Sequence, residues 1–97
     1  MTKQEAKDFA IEIEEYLVAH PKIDSILEIK DYDLRERILG CLYWDPLCAA
    51  LQDCSICPLN CCLDRGSDFR KWLYADDPQS RKAAAKSLLA KIRAWEV

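Results

Sequence analysis

Five cysteines lie within fifteen residues near the middle of this chain, and they constrain its fold more than any other feature. They are Cys48, Cys54, Cys57, Cys61 and Cys62. Thiols this close together in a small protein either bind a metal ion or pair as disulfides. The sequence therefore predicts that the middle of the chain is a loop organised by its sulfur atoms.

The spacing of the cysteines favours a metal site. Cys54 and Cys57 are separated by two residues, a spacing at which a tight turn directs both sulfur atoms at one ion. Cys61 or Cys62 can supply a third thiolate. Because side chains of adjacent residues diverge, we expect only one of these two to bind.

Cys48, one short helix earlier, is the preferred fourth ligand. Cys41 is the reserve candidate, although we expect it on the apolar face of a helix, as a core residue. Thiolate ligands suit either a tetrahedral Zn²⁺ ion or a four-cysteine iron–sulfur cluster, and the spacing does not separate the two. With four protein sulfurs, the metal is expected to be structural.

Length and composition indicate one folded domain, residues 1–97. Half of the chain is hydrophobic (51%), and it has only two glycines. A domain of this size has a small core, so a metal or disulfide cross-link would add a significant share of its stability. We expect N-terminal helices in residues 1–40, the cysteine cluster in 41–66 and C-terminal helices in 67–97.

Apolar residues recur at helical intervals, which predicts an all-α protein of five or six short helices around a cysteine-rich metal-binding loop. The first helix is expected over residues 2–20, and Ile23, Ile26 and Leu27 suggest a short second helix. Candidate N-terminal caps of the later helices are Asp31 or Asp33, Asp45 followed by Pro46, Ser67, and Asp77 followed by Pro78.

The N-terminus leads into a charged amphipathic segment, so we expect no secretory signal and a cytoplasmic location. Thiols stay reduced in the cytoplasm, which favours metal binding. Three disulfides in a secreted protein remain the alternative.

Charge is distributed unevenly, although the net charge is only −3. Residues 1–33 carry four lysines and nine acidic residues, whereas residues 67–97 carry seven basic and four acidic residues. Either the two ends attract each other within the chain, which is the simpler interpretation, or they attract a partner.

Two groups of residues are candidates for binding a partner protein. Ile11 and Val18 lie opposite the apolar stripe of the first helix and are expected to be an exposed pair. Lys82, Lys86 and Arg93 flank the apolar stripe of the last helix. Together with Arg70 and Lys71, these basic residues also allow a weaker alternative, nucleic-acid binding.

The sequence shows no arrangement typical of an enzyme. The only histidine, His20, stands beside Pro21 and is expected to interact with a helix end. Glu12, Glu14 and Glu15 are expected to be an ordinary solvated run of carboxylates.

Residues 54–62 resemble the iron–sulfur loop of the endonuclease III and adenine glycosylase family, whose pattern is C-x6-C-x2-C-x5-C. Cys41 and Cys48 have the spacing with which that pattern begins. The chain departs from it by inserting residues 49–53 and shortening the last interval, and it lacks the family's helix-hairpin-helix segment and catalytic residues. The resemblance implies a 4Fe-4S cluster as the alternative cofactor, without glycosylase activity.

Residues 54–72 also look like small bacterial and prophage-encoded proteins that carry C-x2-C-P, a further cysteine, Gly-Ser, an aromatic residue and tryptophan. The matching residues include Cys57-Pro58, Gly66-Ser67, Phe69 and Trp72. Such proteins have no assigned activity, so the resemblance implies only a phage or accessory origin. We expect a zinc-stabilised protein-interaction module, for example a phage-type inhibitor or accessory factor, with an iron–sulfur redox or sensor protein as the alternative.

Overall fold

A computed structural model describes residues 1–41, 45–52, 57–59 and 66–97, and this part of the chain is helical without any strand. The expected all-α class is therefore confirmed for the described residues. The radius of gyration is 12.4 Å, close to the ~13 Å of a compact domain of this length. The elements are α1 (Lys3–Ala19), a 3₁₀ turn (Ile26–Glu28), α2 (Tyr32–Leu39), α3 (Pro46–Leu51), α4 (Asp68–Leu73) and α5 (Pro78–Ala94).

Each α-helix begins at a polar side chain that accepts a hydrogen bond from a backbone N–H of the first turn. Thr2 and Glu5 form a reciprocal capping box at the start of α1. The later caps are Asp31, Asp45, Ser67 and Asp77. The predicted helix starts are therefore confirmed, and Asp31 rather than Asp33 caps α2.

Helices α1 and α5 pack against each other in antiparallel orientation. At one end the Lys7 Nζ donates to the carbonyl oxygen of Trp95 at 2.5 Å. At the other end the Arg81 Nη1 donates to the carbonyl oxygen of Pro21 at 2.6 Å. The apolar sides of these two helices pack with residues of the other elements in two buried clusters. The main cluster consists of Ile13, Leu17, Ile29, Leu34, Ile38, Trp72, Ala84, Ala85 and Leu88.

The second cluster lies where α3 meets α1 and α5. Its buried members are Ala6, Ala10, Leu47 and Ile92. Leu59, from the described part of the cysteine loop, packs against both clusters. Cys57 also packs against the second cluster, so the segment of residues 57–59 lies on the helices.

A buried carboxylate fastens α4 to α5. Asp68 is only 9% exposed. Its Oδ2 accepts from the Ser87 hydroxyl and from the Lys91 ammonium, each at 2.6 Å. The side chains of Lys71, Ser80 and Ala83 line an open groove of about 500 Å³ beside this contact.

The expected short second helix is present as a single 3₁₀ turn over Ile26–Glu28, because the Ser25 hydroxyl accepts from the backbone N–H of Leu27 and the backbone is extended again at Ile29. Ile23 and Ile26 pack against the main cluster without needing a longer helix. Cys41 is half-buried rather than a core residue, and its thiol donates to the carbonyl oxygen of Arg37 at 3.4 Å.

His20 has the helix-end role that its position predicts. Its Nδ1 lies 2.9 Å from the carbonyl oxygen of Tyr16, and the two rings stack with their centroids 4.0 Å apart. Trp72 is buried in the main cluster, and Trp95 packs against the second cluster.

Arg81 is a buried cation, 7% exposed, that links two loops. Its guanidinium donates to the carbonyl oxygens of Pro21 and Ala75. We expect Arg81→Ala to lower the free energy of unfolding by about 2–3 kcal/mol, because both carbonyls lose a charged donor and the site loses packing. Urea unfolding would measure this. Lys82→Ala, at the exposed neighbouring position, should change stability by less than about 0.5 kcal/mol, and an equal effect of the two variants would contradict the linking role.

Candidate metal centre

Two of the five predicted metal ligands lie within the described residues, on neighbouring segments. Cys48 belongs to α3 and follows Leu47, whose side chain is fully buried in the second cluster. Cys57 is half-buried and packs against the same cluster. The segment of Cys57 therefore packs on the same cluster as Leu47 of α3, the helix that bears Cys48. Cys54, Cys61 and Cys62 lie outside the described residues.

Asp45, the N-terminal cap of α3, contacts Cys48 in the first turn of that helix. Its Oδ1 accepts from the backbone N–H of Leu47 at 2.8 Å. Burial raises the pKa of Asp45, and hydrogen bonds from the backbone N–H groups of Leu47 and Cys48 and from the Cys48 thiol counteract part of that rise. Asp45 is thus a partly desolvated carboxyl group in contact with a predicted ligand.

A second carboxyl group, that of Glu14, faces this region from α1. Its Oε2 is buried, and no described residue donates a hydrogen bond to it. Burial, reinforced by the negative charge of Asp45, raises the pKa of Glu14 to about 8. Glu14 is therefore protonated at neutral pH, and the expectation that it belongs to a solvated run was wrong.

The electrostatic influence of Asp45 extends to Cys41. Burial and the Asp45 charge together raise the pKa of the Cys41 thiol. A metal ligand must lose its proton, so this environment makes Cys41 a poorer ligand in the absence of a cation.

The described residues do not by themselves form a metal site. Within residues 1–41, 45–52, 57–59 and 66–97, no group of three or more His, Cys, Asp or Glu side chains is arranged to hold a metal ion. Three predicted ligands lie outside these ranges, so the cysteine-bound metal stays a prediction. Of the predicted ligands, Cys48 lies in α3 and Cys57 packs on the second cluster.

The apolar pair predicted to be exposed on α1 is instead half-buried. Ile11 packs against the second cluster and Val18 against the main cluster. The physical reason is that α1 contacts helices over a wider face than its regular apolar stripe indicates, with α3 covering the side of Ile11. Little of this pair is accessible, so a partner-binding role for it stays an untested prediction.

The basic candidates on α5 divide into two kinds. Arg93 forms an ion pair with Glu15 at 2.9 Å, which is one contact between the acidic first helix and the basic last helix. Lys82 and Lys86 are exposed and form no ion pair with any other described residue. They are therefore the members of this group whose charge is available to a partner.

Comparison of the chain with protein-family models, curated proteins and solved structures found no match. The resemblances noted in the sequence therefore stay predictions. No helix in the described part of the chain is long and apolar enough to cross a membrane.

Proposed function

We propose that this protein is a small non-enzymatic interaction module whose cysteine loop is fastened by a structural Zn²⁺ ion. The observation that carries the proposal is the packing of the Cys57 segment against the same buried cluster as α3, which bears Cys48. Cys54, Cys57, one of Cys61 and Cys62, and Cys48 would complete a tetrahedral set of sulfur ligands. A cation bound there would replace the thiol protons as it binds.

Two features beside Cys48 favour a cation at this place. Asp45 contributes a negative charge in a partly desolvated position, which attracts a divalent ion. Glu14 is protonated at neutral pH, so it does not add a second negative charge that would oppose thiolate formation. Zinc binding would also close the segment between α3 and α4 and stabilise a domain with a small core.

The proposed interaction is assigned to α5. Lys82 and Lys86 present two available positive charges on an exposed helix face, which fits an acidic protein surface. Inhibition of another protein by a phage-type polypeptide is one form that this role could take. Nucleic-acid binding is less well supported, because Arg93 is paired with Glu15 and Lys91 with Asp68.

Metal analysis of the untagged protein tests the zinc proposal. We expect one zinc per chain by plasma mass spectrometry, a colourless solution, and loss of zinc in Cys54→Ser. A brown protein that contains iron and labile sulfide would instead support the iron–sulfur alternative over zinc. A protein that binds neither metal, even when it is prepared anaerobically with both supplied, would refute the proposed centre.

A further inference from the structure

We infer that the protein pairs with a second copy of itself, and that the outer face of α1 in one copy lies against the outer face of α5 in the other. This inference deepens the proposed interaction role, on which it rests, by naming the partner of the α5 face. It does not depend on the metal.

The outer face of α1 is an acidic stripe. Glu5, Asp8, Glu12 and Glu15 are all exposed and follow each other at intervals of three and four residues. This spacing places them in one row along the helix. Within the chain, Glu12 pairs with Arg37 and Glu15 with Arg93, whereas the described residues offer no ion-pair partner to Glu5 or Asp8.

The outer face of α5 is basic and flat. Lys82 and Lys86 are exposed. The exposed residues nearby are small: Ala83 lies between the two lysines in the sequence, and Ala90 lies one turn after Lys86. Small side chains let another helix approach closely while the lysines reach its flanks. The groove of about 500 Å³ between α4 and α5 adjoins this face, with the exposed Lys71 on its rim.

The orientation of the two helices makes these charges self-complementary. Because α1 and α5 are antiparallel, Glu5 and Asp8 lie at one end of the helix pair and Lys82 and Lys86 lie towards the other. A two-fold axis between copies would bring the acidic end of each copy to the basic end of the other, so each contact occurs twice. Exposed ion pairs are weak and screened by salt, so the dimer should be weak and sensitive to salt.

Sedimentation velocity of the full, metal-loaded chain at about 0.2 mM protein tests this inference in about 20 mM and about 500 mM salt. We expect dimers in low salt and a several-fold smaller dimer fraction in high salt. Lys82→Glu/Lys86→Glu should be monomeric in low salt. Gln4→Lys/Asp8→Lys should be monomeric too, because it makes the acidic end of α1 basic at Asp8 and at Gln4, the exposed residue that donates a hydrogen bond to Asp8. An equimolar mixture of these two variants should restore dimers, because each then offers the charge that the other needs. Lys22→Glu/Lys30→Glu, with the same net charge as the first variant, should dimerise as the native chain does.

A native chain that stays monomeric in low salt would overturn the inference. A dimer that persists in Lys82→Glu/Lys86→Glu would also overturn it, since another face would then form the contact. If the native chain is monomeric but captures a different protein through Lys82 and Lys86, the self-pairing fails while the proposed interaction role survives. If it binds neither itself nor another protein, both fail.

Discussion

Cys57→Ser is expected to abolish zinc binding at micromolar metal and to lower the free energy of unfolding by about 3–4 kcal/mol. This is the stabilisation that a ligand confers at concentrations of about a hundred to a thousand times its dissociation constant. Cys57 is a predicted ligand that lies within the described residues, where it packs on the second cluster beside α3. Without this thiolate the proposed Zn²⁺ ion would lose its ligand from residues 57–59, the segment that packs on the helices.

Urea unfolding with zinc and with chelator separates metal loss from packing loss. In chelator, Cys57→Ser should be less stable than the native protein only by about 1 kcal/mol, the effect of placing a hydroxyl where the thiol packs on the second cluster, and the larger difference should appear only with zinc. Cys41→Ser is the comparison variant, because Cys41 is only the reserve ligand candidate and its half-buried thiol donates to the Arg37 carbonyl. We expect it to keep its zinc, and loss of zinc in this variant would make Cys41 a ligand. A native protein whose stability does not respond to chelator would argue against a structural metal.

Glu14→Gln is expected to stabilise the protein at pH 8 by on the order of 3–5 kcal/mol, since each pKa unit corresponds to about 1.4 kcal/mol. The folded Glu14 carboxyl group has a pKa of about 8, against an ordinary value of 4.5. At a pH between these two pKa values, the Glu14 carboxyl group loses its proton in the unfolded chain and keeps it in the folded chain. Native stability should therefore be highest below pH 4.5 as far as Glu14 is concerned, and should fall as the pH rises towards 8. Glutamine resembles the protonated acid and has no such dependence.

The difference in unfolding free energy between Glu14→Gln and the native protein should therefore grow between about pH 5 and pH 8 and then level off. Glu15→Gln is the matched control, because it makes the same side-chain change at an exposed neighbour that pairs with Arg93. It should change stability by less than about 1 kcal/mol. If the unfolding free energies of Glu14→Gln and of the native protein changed in parallel across this pH range, Glu14 would be ionised and hydrated in the folded state.

The sequence around Glu14 has a pattern that is typical of a surface feature but is equally compatible with a buried face. Ile11, Glu14 and Val18 are spaced by three and four residues and lie on one side of α1. An apolar pair on that side indicates either an exposed patch or a second buried face, and periodicity alone does not distinguish them. The structure shows a covered face, because Ile11 packs on the second cluster, which includes Leu47 of α3, and Val18 packs on the main cluster. Glu14 lies between the pair and is buried with it.

Local signals predicted the helices well, because capping depends on residues that are adjacent in sequence. Asp45-Pro46 and Asp77-Pro78 place a carboxylate and a fixed backbone angle at the start of α3 and α5, and both helices begin there. Contacts between distant residues could not be predicted in the same way. Arg81 reaches Pro21 across sixty positions, and the attraction between Arg93 and Glu15 was expected only as a general property of the two ends.

Zinc K-edge absorption fine structure on the metal-loaded, untagged protein tests the central claim most directly. We predict a first shell of four sulfur atoms at about 2.3 Å, with a clear loss of sulfur in both Cys54→Ser and Cys57→Ser. A first shell made mainly of oxygen or nitrogen, or a sulfur shell unchanged in those two variants, would contradict the claim that these cysteines hold the ion.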